Sequence, residues 1–364
     1  MDNQVLNEYF SRKRVLVTGA CGTIGREVVR QLIEDYHVGE LVGIDNNESD
    51  LFFLTQKYSQ YVNVSFFLAD VRDRDKMISC SRGIHVVIHT AAFKHVDLCE
   101  RSPFEAVQTN IMGVQNVIAA AYENGIERLI FTSSDKAVNP TNVMGTSKLM
   151  GERLITAANG NLRGNGPIYA STRFGNVLGS RGSVIPLFRQ QIRQGGPLTL
   201  TDPNMTRFIM SIREAAQLVI NTVILACGGE VFITKMPVVR IQDLADVMIG
   251  ELAPHYGFDA EQIQVQVIGS KPGEKMYEEL MNHEEIRRVW ELSRYFVVLP
   301  AFTSLYRQIS YDYPDVLLRS VSNPYNSANE DPMDKKTLKT FLRDNHLLFE
   351  PRTDGEILTH ERWD

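Results

Sequence analysis

The sequence is poor in cysteine, and the few thiols it has show no functional spacing. Its four cysteines form no C-x-x-C pair and no metal-ligand pattern; they are Cys21, Cys80, Cys99 and Cys227. We interpret them as buried or incidental thiols of a protein in a reducing compartment. A structural metal site is therefore not expected.

A long hydrophobic run is also lacking. The N-terminus, "MDNQVLNEYFSRKRVLVTG", has no apolar core of a signal peptide. The longest apolar stretch, residues 215–227, is too short to cross a bilayer and contains Gln217 and Asn221, so it predicts a buried helix. The absence of both signals favours a soluble, cytoplasmic protein without membrane insertion.

The chain has no excess of positive charge. Its 364 residues carry a formal net charge of −6, and 43% of them are hydrophobic and 23% charged, as in ordinary globular proteins. This balance gives no global electrostatic reason to expect nucleic acid or an anionic membrane as a partner. It still allows a local basic pocket for a phosphorylated substrate.

What the first half of the sequence does contain is a regular alternation of β-rich and amphipathic segments. Nearly continuous apolar runs predict strands at residues 14–18, 41–45, 64–68, 85–89 and 128–132. Helices are predicted between them, for example at 24–35 and 103–122. Strands without polar alternation are typical of sheets covered on both faces. The pattern therefore predicts an α/β fold with a Rossmann-type, doubly wound parallel sheet.

The segment "VTGACGTIG" places Gly19, Gly22 and Gly25 directly after the first predicted strand. Glycines there permit a tight turn, close approach of the backbone to a pyrophosphate, and close helix–strand packing. The helix that begins near Thr23 and Ile24 then faces the phosphates with unpaired N–H groups. Because the glycines stand between strand one and helix one of a βαβ series, they predict a dinucleotide site.

Asp45 ends the second predicted strand about twenty residues past the last glycine. A carboxylate there accepts hydrogen bonds from the adenosine ribose and repels a 2′-phosphate, so NAD is preferred over NADP. A plain role as a turn or helix cap also remains open. Asp70 and Val71 are placed to meet the adenine, and Ala91 and Ala92 to line the path to the nicotinamide.

The pattern becomes irregular after about residue 175. We interpret residues 1–175 as an NAD-binding Rossmann domain. Residues 176–330 are interpreted mainly as a smaller substrate-binding lobe, with some segments returning to the Rossmann core. Residues 331–364 are expected to form a C-terminal helix, near 335–347, and a tail.

Five motifs occur in order: the three-glycine turn, "TAAFKHV", "TSSDKAVNPTNVMGTSK", "FGNVLGSRGSVIPLF" and "KPGEKMYEEL". Across about three quarters of the chain they resemble the extended short-chain dehydrogenase/reductase superfamily, in particular its polysaccharide-biosynthesis branch with UDP-N-acetylglucosamine 4,6-dehydratases. The tyrosine that such enzymes place four residues before a helical lysine is missing, since Met144 precedes Lys148. In the retaining members of the branch methionine stands there, and an Asp-Lys pair just upstream is implicated instead.

The resemblance implies oxidation of the sugar at C4, loss of water across C5–C6 and return of hydride to C6. Asp135 and Lys136 follow strand five, at the edge where open α/β sheets bind ligands. We expect Asp135 to be the acid toward the C6 hydroxyl and Lys136 the base at C5. A neutral Lys136 requires a lowered pKa, for which Lys148 should supply a nearby cation while holding the nicotinamide ribose. Ser134 or Ser133 is expected to pass the C4 proton.

Further side chains are predicted to form the substrate pocket. Asn176 offers an amide to a phosphate or sugar oxygen. Ser183 is expected to supply a backbone donor, and Val184 and Pro186 to form apolar walls for a base. Arg207 is a candidate pyrophosphate clamp, because a guanidinium offers paired donors to phosphate oxygens; a surface ion pair is its alternative.

Two more pairs of residues are candidates for substrate contacts. The resemblance implies that Glu274 accepts hydrogen bonds from ribose hydroxyls and that Lys271 assists the phosphates, although the relatives often carry arginine at that position. Lys94 and His95 follow strand four at the same sheet edge, and both a ligand role and a structural role stay open for them.

The leading interpretation is an NAD-dependent 4,6-dehydratase of UDP-N-acetylglucosamine in surface polysaccharide or glycan biosynthesis. Three alternatives remain: the same reaction on a GDP-linked N-acetylhexosamine, a nucleotide-sugar C4 epimerase, and a catalytically silent NAD sensor or scaffold. Met144 disfavours the epimerase, whereas Asp135, Lys136 and the sugar pocket disfavour the sensor. The resemblance further implies a homo-oligomer and, because the chain starts almost at strand one, the soluble forms of the branch.

Overall fold

The computed structural model describes residues 2–161, 166–180, 183–269, 273–302 and 308–349. A ten-stranded sheet runs through its centre in the order β3-β2-β1-β4-β5-β6-β10-β14-β13-β15. The strands of its first half are β1 (Arg14–Thr18), β2 (Glu40–Asp45), β3 (Val64–Leu68), β4 (Val86–His89), β5 (Arg128–Thr132) and β6 (Ile168–Arg173). All neighbours among these six are parallel, so the predicted Rossmann-type sheet is confirmed.

Helices cover both faces of this parallel half. They are α1 (Asn3–Phe10), α2 (Thr23–Arg30), α3 (Glu48–Lys57), α4 (Arg74–Cys80), α5 (Val96–Arg101), α6 (Pro103–Val107), α7 (Gly113–Glu123) and α8 (Val143–Gly160). In β1, Val15 and Val17 belong to one buried cluster and Leu16 to another, on the opposite face. Burial on both faces explains why these strands lack polar alternation.

The second half of the chain divides between the large sheet and a separate lobe. Its elements are β7 (Asn176–Val177), α9 (Val184–Arg193), β8 (Leu198–Leu200), β9 (Thr206–Met210), α10 (Ile212–Leu225), β10 (Val231–Thr234), β11 (Val238–Arg240), α11 (Ile241–Leu252), β12 (Val265–Val267), β13 (Val289–Leu292), β14 (Tyr295–Val298), β15 (Val316–Leu318) and α12 (Lys335–Asp344). Helix α10 packs into the Rossmann core, as its apolar sequence predicted. Within the described ranges no helix combines the length and hydropathy needed for a membrane span.

The lobe has its own hydrophobic core between α9, α11 and α12. Its strands form two small sheets, β11-β9-β7 and β12-β8. Strand β10 joins the large sheet parallel to β6, and β14, β13 and β15 extend it in antiparallel fashion. Segments beyond residue 175 thus complete the large sheet, and the domain division proposed from the sequence stays a prediction.

A buried ionic cluster joins the two halves. The Arg173 guanidinium at the end of β6 lies 2.6 Å from a Glu152 oxygen on α8 and 2.8 Å from an oxygen of Glu285. A third acceptor is the backbone carbonyl of Leu280, 3.1 Å from Nη1. Because all three charged side chains are buried, each depends on its partners for solvation.

Candidate active site

The glycine turn packs so tightly that only glycine fits at two of its positions. Gly19 has a φ of +70°, and a Cβ there would lie 2.7 Å from the Cα of Ala91. A Cβ on Gly25 would lie 2.0 Å from the carbonyl oxygen of Gly19. Gly22 is the N-cap of α2, so the first N–H groups of this helix, from Thr23 onward, face the turn. The turn therefore has the geometry of a phosphate cradle.

A cavity of about 260 Å³ opens beside this turn at the carboxyl ends of β1, β2 and β4. Seven predicted cofactor residues line it: Gly19, Gly22, Asp45, Asp70, Val71, Ala91 and Ala92. Ile24 and Gly25 lie in the first turn of α2, next to it. The cavity has the position and lining that the adenosine half of a dinucleotide needs.

Asp45 holds the edge of this cavity. One carboxylate oxygen accepts from the backbone N–H of Cys21, and the other from that of Asn47, both at 2.9 Å. Each oxygen keeps a further lone pair for a ribose hydroxyl. Asp45 therefore acts as a turn cap and remains a candidate ribose partner.

Asp70, also in this cavity, lies 2.7 Å from the Arg72 guanidinium, whose hydrogen bonds lower the pKa of Asp70.

The Asp135–Lys136 pair sits on a single 3₁₀ turn directly after β5. Lys136 Nζ lies 3.0 Å from Asp135 Oδ2, and Ser134 Oγ lies 2.5 Å from Asp135 Oδ1. The turn is anchored to the next strand through the Asp135 N–H, which donates to the Phe174 carbonyl. Asp135 is 5% exposed, whereas the Lys136 side chain is 34% exposed toward the cleft.

The pair rests as a zwitterion. Burial by itself would raise the pKa of Asp135, but the Lys136 charge and the Ser134 hydrogen bond outweigh it and lower that pKa. Burial would lower the pKa of Lys136, but the charge of Asp135, in direct contact, outweighs it and raises that pKa. The expected lowering of the Lys136 pKa is therefore wrong for this state of the protein. The reason is that its neighbours include acidic groups as well as a cation.

Lys148 occupies a different position from the one expected of a cation beside Lys136. Its Nζ donates to the Thr132 carbonyl at 2.9 Å and lies 4.8 Å from the centre of the Phe131 ring. Burial lowers the pKa of Lys148 to about 8. The cation whose charge acts on both Asp135 and Lys136 is instead Arg207.

Met144 fills an apolar cluster in place of a tyrosine. It is buried against Cys99 and Ala106, with Val96 and Val143 at the margin of the cluster. A thioether in such surroundings neither donates nor accepts a proton. Any proton transfer at the sugar must therefore use other groups, and the Asp135–Lys136 pair is the candidate for this task.

A cleft of about 440 Å³ lies in front of this pair, between the large sheet and the lobe. Five predicted substrate residues and both members of the pair line it: Asn176, Ser183, Val184, Arg207, Glu274, Asp135 and Lys136. The apolar wall on α9 consists of Val184, Leu187 and Phe188, whereas Pro186 is not among the described lining residues. The Ser183 hydroxyl has no hydrogen-bond partner among the described residues.

Other predicted residues fall outside this arrangement. Lys94 and His95 are exposed and, within the part of the chain that the structure describes, line neither cavity. Lys271 lies outside the described residues. Ser133, the alternative proton carrier, is buried, and its hydroxyl has no hydrogen-bond partner among the described residues.

Arg207 faces the cleft but is already held by the protein. Its Nη1 donates to the Thr206 carbonyl at 2.8 Å and its Nη2 to that of Lys275 at 2.9 Å. Its Nη2 also lies 3.8 Å from Glu274, and its Nε lies 3.4 Å from Glu278. These contacts fix the guanidinium plane at the cleft wall. The clamp role therefore remains a prediction.

Glu278 is the cleft residue that sequence reasoning missed. It is 5% exposed, and its Oε2 accepts from the backbone N–H of Phe208 at 3.0 Å. The signal that could have found it lies in "KPGEKMYEEL", where Glu278 comes four residues after Glu274. Burial beside Asp135 raises the pKa of Glu278 to about 8.

Comparisons with known proteins agree with this geometry. The family model described as polysaccharide biosynthesis protein matches residues 15–300. An uncharacterized membrane protein of Methanocaldococcus jannaschii is 48% identical over 82% of this chain and 89% of its own length. A UDP-N-acetylglucosamine 4,6-dehydratase (inverting) of Campylobacter jejuni is 36% identical, over 80% of this chain and 84% of its own.

Two further comparisons extend the picture. A UDP-glucose 4-epimerase of Rickettsia bellii is 35% identical over 79% of this chain and 83% of its own length. The X-ray structure of Pen from Bacillus thuringiensis superposes with a TM-score of 0.86 at 39% identity, covering 94% of this chain and all of that one. The chain belongs to the polysaccharide biosynthesis protein family, within the extended short-chain dehydrogenases/reductases that its motifs predicted.

Proposed function

We propose that the protein is an NAD-dependent nucleotide-sugar 4,6-dehydratase that acts on UDP-N-acetylglucosamine. The observation that carries this proposal is the Asp135–Lys136 pair, which lines the cleft while Met144 is buried away from it. Elimination of water requires a base for the C5 proton and an acid for the C6 oxygen, and the pair offers one of each. The similarity to the Campylobacter jejuni dehydratase supports the substrate.

The cofactor part of the proposal depends on the cavity at the glycine turn. Asp45 and the uncharged Asn46 and Asn47 line its outer end, and a 2′-phosphate would lie against the Asp45 carboxylate. This lining favours NAD over NADP. Bound there, NAD would accept one hydride from C4 of the sugar and return it to C6.

Asp135 and Lys136 can then act as the acid and the base of the water elimination. Transfer of one proton from Lys136 Nζ to the Asp135 carboxylate, across their 3.0 Å hydrogen bond, makes the lysine neutral and the aspartate an acid. In that form Lys136 removes the C5 proton, which is acidic beside the C4 ketone, and Asp135 protonates the departing C6 oxygen. Ser134, in contact with Asp135, is placed to pass the C4 hydroxyl proton toward solvent. When hydride returns to C6, Lys136 gives its proton back to C5, and the pair regains its resting proton from solvent.

A C4 epimerase is the second candidate, favoured by the Rickettsia bellii relative. An epimerase must take and return a proton at the C4 oxygen on either face of the sugar. The methionine at the usual tyrosine position leaves no phenol for that task, and epimerisation at C4 would give the Asp135–Lys136 pair no C5 proton to remove. The dehydratase therefore remains the preferred proposal.

The test is mass spectrometry of the purified protein with NAD and, separately, UDP- and GDP-linked N-acetylglucosamine. Loss of one water without net NADH accumulation would support the dehydratase and identify the nucleotide. An unchanged mass with a C4-inverted product would favour the epimerase. If NAD binds and neither sugar changes, the dehydratase proposal fails and the silent sensor gains support.

A further inference from the structure

Glu278 is a buried acidic residue whose ion pair within the described residues is a long one, to Arg207. Its Oε2 takes the Phe208 N–H, and its Oε1 lies 3.4 Å from Arg207 Nε. The other guanidinium nitrogens of Arg207 donate to backbone carbonyls of Thr206 and Lys275. Of the Arg207 guanidinium nitrogens, Nε is thus the one that lies close to the Glu278 carboxyl. A buried carboxylate with so little charge compensation lowers the stability of the fold.

The neighbours of Glu278 come from three elements. Asp135 and Lys136 lie on the turn after β5, and Arg207 lies on β9. The uncharged Ser327 accepts a hydrogen bond from the Glu278 backbone N–H at 2.9 Å. With Asp135, Glu278, Lys136 and Arg207 all ionised, two carboxylates and two cations would lie close together at one wall of the cleft. Lys136 is already hydrogen-bonded to Asp135, so an ionised Glu278 would compete with Asp135 for that lysine.

We propose that Glu278 works as a neutral carboxylic acid and is a positioning residue for the Asp135–Lys136 pair, an inference that rests on the proposed dehydratase function. As a neutral acid it still accepts the Phe208 N–H and still supports Arg207 at the cleft wall. By withholding its negative charge it leaves Lys136 bound to Asp135 alone. It also avoids repelling the diphosphate of the substrate and the enolate charge that develops when C5 loses its proton.

The sign of the pH effect follows from burial. Burial beside Asp135 raises the pKa of Glu278 to about 8, and burial lowers that of Lys148 to the same value. As pH rises through about 8, Glu278 therefore gains a negative charge while Lys148 loses a positive one. The charge on Glu278 opposes an anionic substrate, and Lys148 loses the charge expected to hold the nicotinamide ribose. Since both changes act against the reaction, log kcat/KM of the wild type should fall with a limiting slope of about −2.

The first test compares the wild type with Glu278→Gln, which keeps the shape of the side chain and an oxygen for the Phe208 N–H. We expect near wild-type kcat/KM at pH 7, a limiting alkaline slope of about −1, and about tenfold higher kcat/KM than the wild type at pH 9. An unchanged alkaline slope would overturn the inference. So would a large loss at pH 7, since it would mean that the carboxylate form is needed.

A matched control is Glu230→Gln. Glu230 is another fully buried acid whose pKa is raised by burial, but it is held by the Cys227 and Gly228 N–H groups and by Tyr313, away from the cleft. This variant should leave the pH profile of kcat/KM unchanged. A changed slope in Glu230→Gln would show that general stability, and not Glu278, sets the profile.

A second measurement needs neither substrate nor turnover. The infrared difference spectrum between the wild type and Glu278→Gln at pH 7 should contain the C=O band of one protonated carboxyl, lost as pH rises through about 8. Absence of the band overturns the inference even if the enzyme is active. If the wild type removes water from no nucleotide sugar, the proposed function fails instead, and the band still reports on Glu278. Should Glu278→Gln not fold, the pH titration of the band in Glu230→Gln replaces the difference spectrum.

Discussion

Lys136 Nζ lies 3.0 Å from Asp135 Oδ2, so the two groups on adjacent residues can share one proton directly. Removal of either side chain leaves the other without its proton partner. We expect Lys136→Met and Asp135→Asn each to lower kcat by a factor of about 10² to 10⁴, the usual contribution of general acid–base catalysis. Binding of NAD, followed by calorimetry, should be unchanged, because neither residue lines the cavity at the glycine turn.

The control for this experiment is Lys335→Met on the exposed face of α12, where the lysine pairs with Asp246. Its kcat should equal that of the wild type. Full activity in Lys136→Met would remove the pair from the mechanism.

Glycine at position 25 should be indispensable. In Gly25→Ala the new Cβ would lie 2.0 Å from the Gly19 carbonyl, so the helix and the turn must move apart. We expect loss of detectable NAD binding, together with a lower unfolding temperature. Gly250→Ala in α11 is the matched control: its Cβ meets open space, and alanine in a helix should stabilise the protein by about 0.5–1 kcal/mol. Tight NAD binding by Gly25→Ala would contradict the phosphate cradle.

Met144 should tolerate a change of shape but not the restoration of a tyrosine. Its cluster with Cys99 and Ala106 is closed, so Met144→Tyr should destabilise the protein by about 1–3 kcal/mol through overpacking. Met144→Leu should cost less than about 1.5 kcal/mol. Chemical denaturation measures both changes. A stable Met144→Tyr protein with higher dehydratase activity would refute the view that this position only packs.

The buried Lys148 should make stability depend on pH in a definite direction. Its pKa is lowered by burial to about 8, so between pH 8 and about 10.5 the unfolded chain binds a proton that the folded protein does not. Stability therefore rises with pH in this window relative to Lys148→Met, by on the order of 3 kcal/mol overall. Urea unfolding of both proteins at pH 7 and pH 10.5 measures the difference. A constant difference would show that Lys148 is not desolvated.

The ionic cluster around Arg173 should be sensitive to the loss of its cation. In Arg173→Met, Glu152 and Glu285 would remain buried at 3% exposure without a counter-charge. We expect a loss of about 3–5 kcal/mol in the free energy of unfolding. The triple variant Arg173→Met with Glu152→Gln and Glu285→Gln should recover part of this loss. If it recovers none, packing and not charge dominates at this position.

The sequence was a good guide wherever the signal was local. Apolar runs predicted β1, β3 and β5 with their observed bounds. For β1 and β5 the physical reason is burial on both faces of the sheet. The glycine spacing and Asp45 predicted the cofactor cavity, since the turn, the helix start and the strand end are neighbours in the chain. These features needed no knowledge of distant contacts.

Long-range contacts were where sequence reasoning failed. Glu278 lies far along the chain from the Asp135–Lys136 pair and reaches it only through folding. The cation that acts on both members of the pair, Arg207 on β9, was missed for the same reason. The hydrophobic periodicity and composition of the sequence also could not assign β10, β13, β14 and β15 to the large sheet. Which strand pairs with which is set there by tertiary packing.

The turn that carries Asp135 and Lys136 belongs to the Rossmann sheet, but its electrostatic surroundings come from the lobe. Arg207 and Glu278 supply those surroundings, and Lys275 donates to the Val138 carbonyl just past the turn. Exchange of the lobe between relatives would therefore alter the working pH of the enzyme together with its choice of sugar. We expect substrate preference and the pH dependence of activity to change together in this architecture.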